Sequence, residues 1–132
     1  MEKSYSILII GAGQIGSRHL QALKGVKAPL NIIVVDPSDS SLKTARERFE
    51  LIKNGPVAHK IAFAATIPRK QKIDIALIAT CSDVRASIVK ALLEYNNVKY
   101  LILEKILFNR KRDYADIEKI VNKKRIKTWV NC

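Results

Sequence analysis

Six short apolar runs punctuate the chain: Ser6–Ile10, Ile32–Val35, Lys60–Ala64, Asp74–Thr80, Tyr100–Leu103 and Ile126–Val130. Rich in Ile, Leu and Val and mostly lacking a period-two alternation, they read as strands buried on both faces. Between them the apolar positions recur at helical spacing. One helix runs from Gln14 to about Leu23, with Ile15, Leu20 and Leu23 as its apolar positions and Gly25 as its stop. Ser40 or Ser41 caps a second helix that reaches about Lys53, where Asn54-Gly55-Pro56 must end it. Ser82 or Asp83 caps a third, running to Tyr95 with Val84, Ile88, Ala91 and Leu92 on one side, and Tyr114–Val121 is the core of a fourth, striped by Ile117, Ile120 and Val121. Strands alternating with helices of this length form βαβ units. The expected fold class is therefore α/β, an open parallel sheet of about six strands with helices on both faces. Ligands of such sheets bind beyond the carboxyl ends of the strands, where the strand order reverses. The positions to inspect are thus Gly11–Gly16, Asp36, Ala65, Thr80–Asp83 and Glu104-Lys105.

Composition narrows the possibilities. The 132 residues suffice for one core, and the 48% apolar content excludes a disordered chain. No apolar run is long enough to cross a bilayer. Met1-Glu2-Lys3-Ser4-Tyr5 leads straight into the first strand without the small-residue cleavage site of a secretory signal, so a cytoplasmic location is expected. Cys81 and Cys132 have no metal-ligand spacing and form no local cluster with His19 and His59, and no metal site is expected. The net charge is +12, and half of it lies between Lys99 and Lys127, where ten basic residues face four acidic ones. Such a field draws in anions without naming one, and a solvated basic face would carry the same charge.

The sharpest chemical signal is Gly11-Ala12-Gly13-Gln14-Ile15-Gly16. A glycine triplet alone is weak. Placed after an apolar strand and opening an amphipathic helix, it is a dinucleotide-binding signature. Gly11 makes the tight turn, Gly13 lets a pyrophosphate approach the backbone, and Gly16 lets helix and sheet pack closely, with the first-turn N–H groups aimed at the phosphates. Asp36 lies 20 residues beyond Gly16 at the end of the second strand. A carboxylate there accepts bonds from the adenosine ribose and repels a 2′-phosphate, which favours NAD over NADP, although Ser38, Ser41 and Lys43 stand where a phosphate could be held. Asp36 before Pro37 also suits a simple turn. Arg18 and His19 follow the loop, His19 reading as a packed or supporting residue. Lys105, at the end of the fifth strand beside Glu104, is the candidate catalytic residue, its ammonium able to polarise or orient a hydroxyl.

The chain resembles the glucose-fructose oxidoreductase, inositol dehydrogenase and related sugar dehydrogenases. The resemblance rests on Ile9-Ile10-Gly11-Ala12-Gly13-Gln14-Ile15-Gly16-Ser17-Arg18-His19, on Val35-Asp36-Pro37, on Ile78-Ala79-Thr80 and on Leu103-Glu104-Lys105. It implies an N-terminal Rossmann domain that binds NAD or NADP, and hydride transfer between the nicotinamide and a sugar, cyclitol or related alcohol. It places Gly11, Gly13, Gln14, Ile15, Gly16, Asp36, Thr80, Cys81 and Glu104 around the cofactor, with Lys105 as the lysine that meets substrate and cofactor. Ile106 replaces the proline of the family's Glu-Lys-Pro, removing a rigid, often cis link. Thr80-Cys81-Ser82-Asp83-Val84-Arg85 stands for its Thr-Pro-Asn-x-x-His. The family's second domain, which supplies further substrate contacts and most oligomer contacts, has no counterpart here. Residues 1–132 are expected to be the cofactor domain of a longer, homo-oligomeric enzyme, inactive alone, whose substrate is small and sugar-like, its charge favouring an anion. A non-catalytic nucleotide-sensing domain would share the glycine loop and the acidic residue but would not need Glu104-Lys105. A basic adaptor or nucleic-acid binder would owe its affinity to counterion release and would not depend on Asp36. No nucleic-acid module accompanies the charge.

Overall fold

The computed structural model describes residues 3–131; Met1, Glu2 and Cys132, which entered the expectations about the N-terminus and the second cysteine, lie outside the described residues. The elements follow as β1 (Tyr5–Ile10), α1 (Gln14–Leu23), β2 (Leu30–Val35), α2 (Asp39–Leu51), β3 (Lys60–Ala64), β4 (Lys72–Ile78), α3 (Ser82–Tyr95), β5 (Asn97–Glu104), α4 (Lys111–Lys123) and β6 (Lys127–Asn131). All six strands are parallel in the order β3-β2-β1-β4-β5-β6. This is an open Rossmann sheet.

The strands read as apolar runs because both faces are covered. Ile7 and Ile9 point into a cluster with Leu20 of α1, Ala45 of α2 and Leu30, Ile32 and Val34 of β2. Their neighbours Leu8 and Ile10 point the other way, into a larger cluster with Val89, Leu92 and Leu93 of α3 and Ile117 and Val121 of α4. Alternation along the strand is thus present in space though not in hydropathy.

Several local expectations are corrected. Ser38, not Ser40 or Ser41, is the N-cap of α2, its side chain accepting from the Ser41 amide at 3.2 Å. Cys81 holds the N-cap position of α3 without a side-chain bond, so neither Ser82 nor Asp83 caps it. The buried side of α3 is Arg85, Ala86, Val89, Leu92 and Leu93, whereas Val84 and Ala91 are exposed. Ile15 is 49% exposed, because it belongs to the loop-facing first turn of α1 and not to its core side. The Lys105–Ile106 peptide bond is cis although no proline follows Lys105.

Candidate functional site

The strand order reverses between β1 and β4, and the segments leaving those two strands form one crevice. Gly11 turns out of β1 with a φ of +103°, its amide donating to the Val35 carbonyl at 2.8 Å. Across the crevice the Ala79 amide donates to the Ile10 carbonyl at 2.8 Å. A Cβ on Gly11 would lie 2.8 Å from the Ala79 carbonyl, and one on Gly16 would lie 1.7 Å from the Gly11 oxygen. A Cβ on Gly13 would meet nothing within 4 Å. Two glycines therefore serve the packing of loop, helix and β4, and the third faces open space.

Gly13 is also the N-cap of α1 and offers its first turn no side-chain acceptor. The helix thus begins with amides available to an anion and with its positive dipole end turned to the crevice. Asp36 lies alongside. Its Oδ2 accepts from the Ala12 amide at 2.8 Å and its Oδ1 from the Ser38 amide at 2.9 Å. The carboxylate pins the glycine loop to the end of β2, and each oxygen keeps a further lone pair for a hydroxyl. Between this loop and the start of α2 lies a cavity of about 180 Å³, lined by Ala12, Gly13, Gln14, Ser40, Ser41, Thr44 and Arg48. Lys43 is exposed and does not line it.

The other half of the crevice is built from the segments after β4 and β5. Glu104 Oε1 accepts from His19 Nε2 at 2.6 Å and from Asn131 Nδ2 at 3.1 Å, so α1, β5 and β6 meet on one carboxylate oxygen. Lys105 is exposed beside it. Arg85, 2% exposed, reaches from the first turn of α3 to the carbonyls of Thr80, Glu104, Ile106 and Leu107. Burial lowers the affinity of this guanidinium for its proton, and the nearby Glu104 carboxylate opposes that shift. Thr80 Oγ1 is buried with no hydrogen-bond partner among the described residues. Cys81 is an exposed free thiol.

The positions singled out from the sequence all come to this carboxyl edge of the sheet: Gly11, Gly13, Gln14, Ile15 and Gly16 on one side, Asp36 beside them, Thr80, Cys81, Glu104 and Lys105 on the other. A larger cavity, about 360 Å³ and lined by Lys72, Asp74, Lys99, Lys124 and Arg125, opens at the amino ends of β4 and β5, away from the glycine loop. Sequence reasoning missed the binding partners of Glu104 and the burial of Arg85. The signal for Arg85 was its place one turn into α3 in register with Val89 and Leu92.

The sequence model of the GFO/IDH/MocA oxidoreductase family, described as having an NAD-binding Rossmann fold, matches residues 5–132. The chain belongs to this family. Solved structures agree with the fold. The WlbA dehydrogenase of Chromobacterium violaceum, in complex with NADH and UDP-GlcNAcA, is 20% identical, with a TM-score of 0.73 over 99% of this chain and 36% of its own. The myo-inositol 2-dehydrogenase of Lactobacillus plantarum is 16% identical, with a TM-score of 0.72 over 98% of this chain and 36% of its own. An Agrobacterium radiobacter oxidoreductase, in complex with NAD+, L-tartaric acid and magnesium, is 18% identical, with a TM-score of 0.74 over 98% of this chain and 35% of its own. The chain thus spans about a third of the length of these structures. No curated protein matches it in sequence. Among the described residues no helix is long and apolar enough to cross a membrane.

Proposed function

We propose that this chain is the cofactor domain of an NAD-dependent oxidoreductase that moves a hydride between the nicotinamide and a hydroxyl-bearing carbon of a sugar, cyclitol or sugar derivative. The observation that carries the reading is the Asp36 carboxylate, bonded to the glycine loop next to the open space at Gly13. That arrangement fits a dinucleotide: free helix-start amides for the pyrophosphate, room where a Cβ would stand, and a carboxylate with remaining acceptor capacity for the ribose. Gly11, Gly13, Gln14, Ile15 and Gly16 hold the diphosphate, and Asp36 holds the adenosine ribose. Thr80, Cys81 and Glu104 border the nicotinamide, with the unpartnered Thr80 hydroxyl supplying a polar contact. The bound cofactor supplies the hydride acceptor or donor. Lys105 donates from Nζ to the substrate hydroxyl, orienting it and stabilising negative charge that develops on its oxygen.

Two of the similar structures, the WlbA dehydrogenase in complex with UDP-GlcNAcA and the myo-inositol 2-dehydrogenase, support the substrate class. Lys105, Arg110, Lys111 and Arg112 follow β5 on the same edge and favour an anionic member of it. Because the chain covers about a third of its structural relatives, the remaining substrate and oligomer contacts are assigned to a second domain of a longer, homo-oligomeric, cytoplasmic protein, and these residues alone turn over little.

Calorimetric titration with NAD, NADP and their reduced forms tests the reading. NAD or NADH should bind in preference, and Asp36→Ala should weaken that binding by about tenfold or more, since a charge-assisted bond is lost. NADP should suffer less, because the 2′-phosphate no longer meets a carboxylate while Ser40, Ser41, Thr44 and Arg48 still line the adjoining cavity. Binding of ATP, ADP or nucleic acid with no dinucleotide bound would overturn it in favour of a sensor or adaptor.

A further inference from the structure

Arg85 is the most deeply buried cation among the described residues, and it forms no ion pair there. An arginine taken from water is costly unless its donors are met. Here both terminal nitrogens meet main-chain carbonyls from two different segments, Thr80, which follows β4, on Nη2, and Glu104, Ile106 and Leu107, at and just past the end of β5, on Nη1, while the buried Nε has no partner among the described residues. The planar fork of a guanidinium can gather acceptors that lie in different directions, which the point-like ammonium of lysine cannot do with the same fixed geometry. The acceptors are themselves informative. Lys105 lies between Glu104 and Ile106, so its backbone is held immediately before and immediately after. Glu104 is fixed a second time through its side chain, by His19 and Asn131. The side chains of Lys105 and Ile106 are left exposed.

We propose that Arg85 is a positioning residue for the nicotinamide side of the site, clamping the segment 104–107 to Thr80 so that Lys105 is presented from a fixed backbone. The proposal rests on the dinucleotide reading above for its ligand and on the hydrogen bonds alone for the clamp. It also separates the site into two energetically distinct parts. The adenosine half depends on the glycine loop and Asp36, neither of which Arg85 touches.

The test compares the 132-residue chain with Arg85→Met, which fills similar space without donors, and with Arg85→Lys, which keeps charge and donors in a different geometry. Two readouts are taken: affinity for NADH and for ADP-ribose, which lacks the nicotinamide, and hydrogen exchange of the free chain. In Arg85→Met, NADH should lose about tenfold or more in affinity while ADP-ribose changes less than about twofold. Amides of 104–108 should exchange about tenfold faster, including that of Phe108, which donates to the Tyr114 hydroxyl at 3.3 Å. Amides of 11–17 should keep their protection. Arg85→Lys should fall between the two, and it carries the comparison if the methionine variant does not fold. Equal losses for NADH and ADP-ribose, or unchanged exchange at 104–108 in a folded variant, would overturn the clamp. Failure of the parent chain to bind either ligand sinks the dinucleotide reading instead, and the exchange comparison then decides the clamp on its own.

Discussion

At Gly13 and Gly16 the same residue type answers two different demands. Gly16 has no room for a methyl group, since its Cβ would lie 1.7 Å from the Gly11 oxygen, far inside any non-bonded contact distance. Gly13, with a φ of −74°, has both room and a conformation open to any residue. Gly16→Ala should therefore destabilise the free chain by about 3 kcal/mol, through forced separation of α1 from the loop. Gly13→Ala should leave the thermal midpoint unchanged and weaken dinucleotide binding, because the methyl group occupies the approach to the backbone. Thermal unfolding and titration, run on both variants, check the distinction. The glycine spacing was legible in the sequence because it encodes backbone geometry. The partners of Glu104 were not, because His19 and Asn131 lie 85 and 27 residues from it along the chain.

Elements with a single kind of inward side chain were read well, and those with mixed faces poorly. Lys60–Ala64 was placed to the residue as β3, and the stripe Ile117, Ile120 and Val121 does face the core from α4. In α3 the inward face carries an arginine, so hydropathy rotated the helix toward Val84 and Ala91, which the structure leaves in solvent. The other end of α3 shows how polar side chains secure a junction that apolar periodicity cannot describe. Asn96, 8% exposed, accepts from the Gln71 amide at 3.0 Å and donates to the carbonyls of Pro68 at 2.8 Å and Leu92 at 3.1 Å. It closes the helix and ties it to the segment that enters β4. Asn96→Ala should cost about 1–3 kcal/mol. The loss should appear in chemical denaturation as a lower midpoint with an unchanged slope, since the extent of unfolding stays the same.

Across the whole molecule the sheet divides labour between its two ends. The carboxyl end gathers the glycine loop, Asp36, Thr80 and Lys105, while the amino end carries Lys60, Lys72, Lys99 and Lys127 near the starts of β3, β4, β5 and β6. The sheet does not close on itself: β3 and β6 are its terminal strands. On β6, Trp129 is 51% exposed and rests against Tyr100 with ring centroids 5.8 Å apart. A terminal strand of this kind is a template onto which another copy can add by main-chain pairing. Such pairing is opposed by the shared charge of +12, a long-range repulsion that salt shortens. The colloidal behaviour of the chain should therefore run opposite to ordinary salting-in: dispersed in dilute buffer, and increasingly self-associated as ionic strength rises toward about 1 M, where the Debye length falls to about 3 Å. Light scattering across a salt series would register this as growth in apparent mass, and an added charge in the middle of the strand, Trp129→Lys, should suppress it.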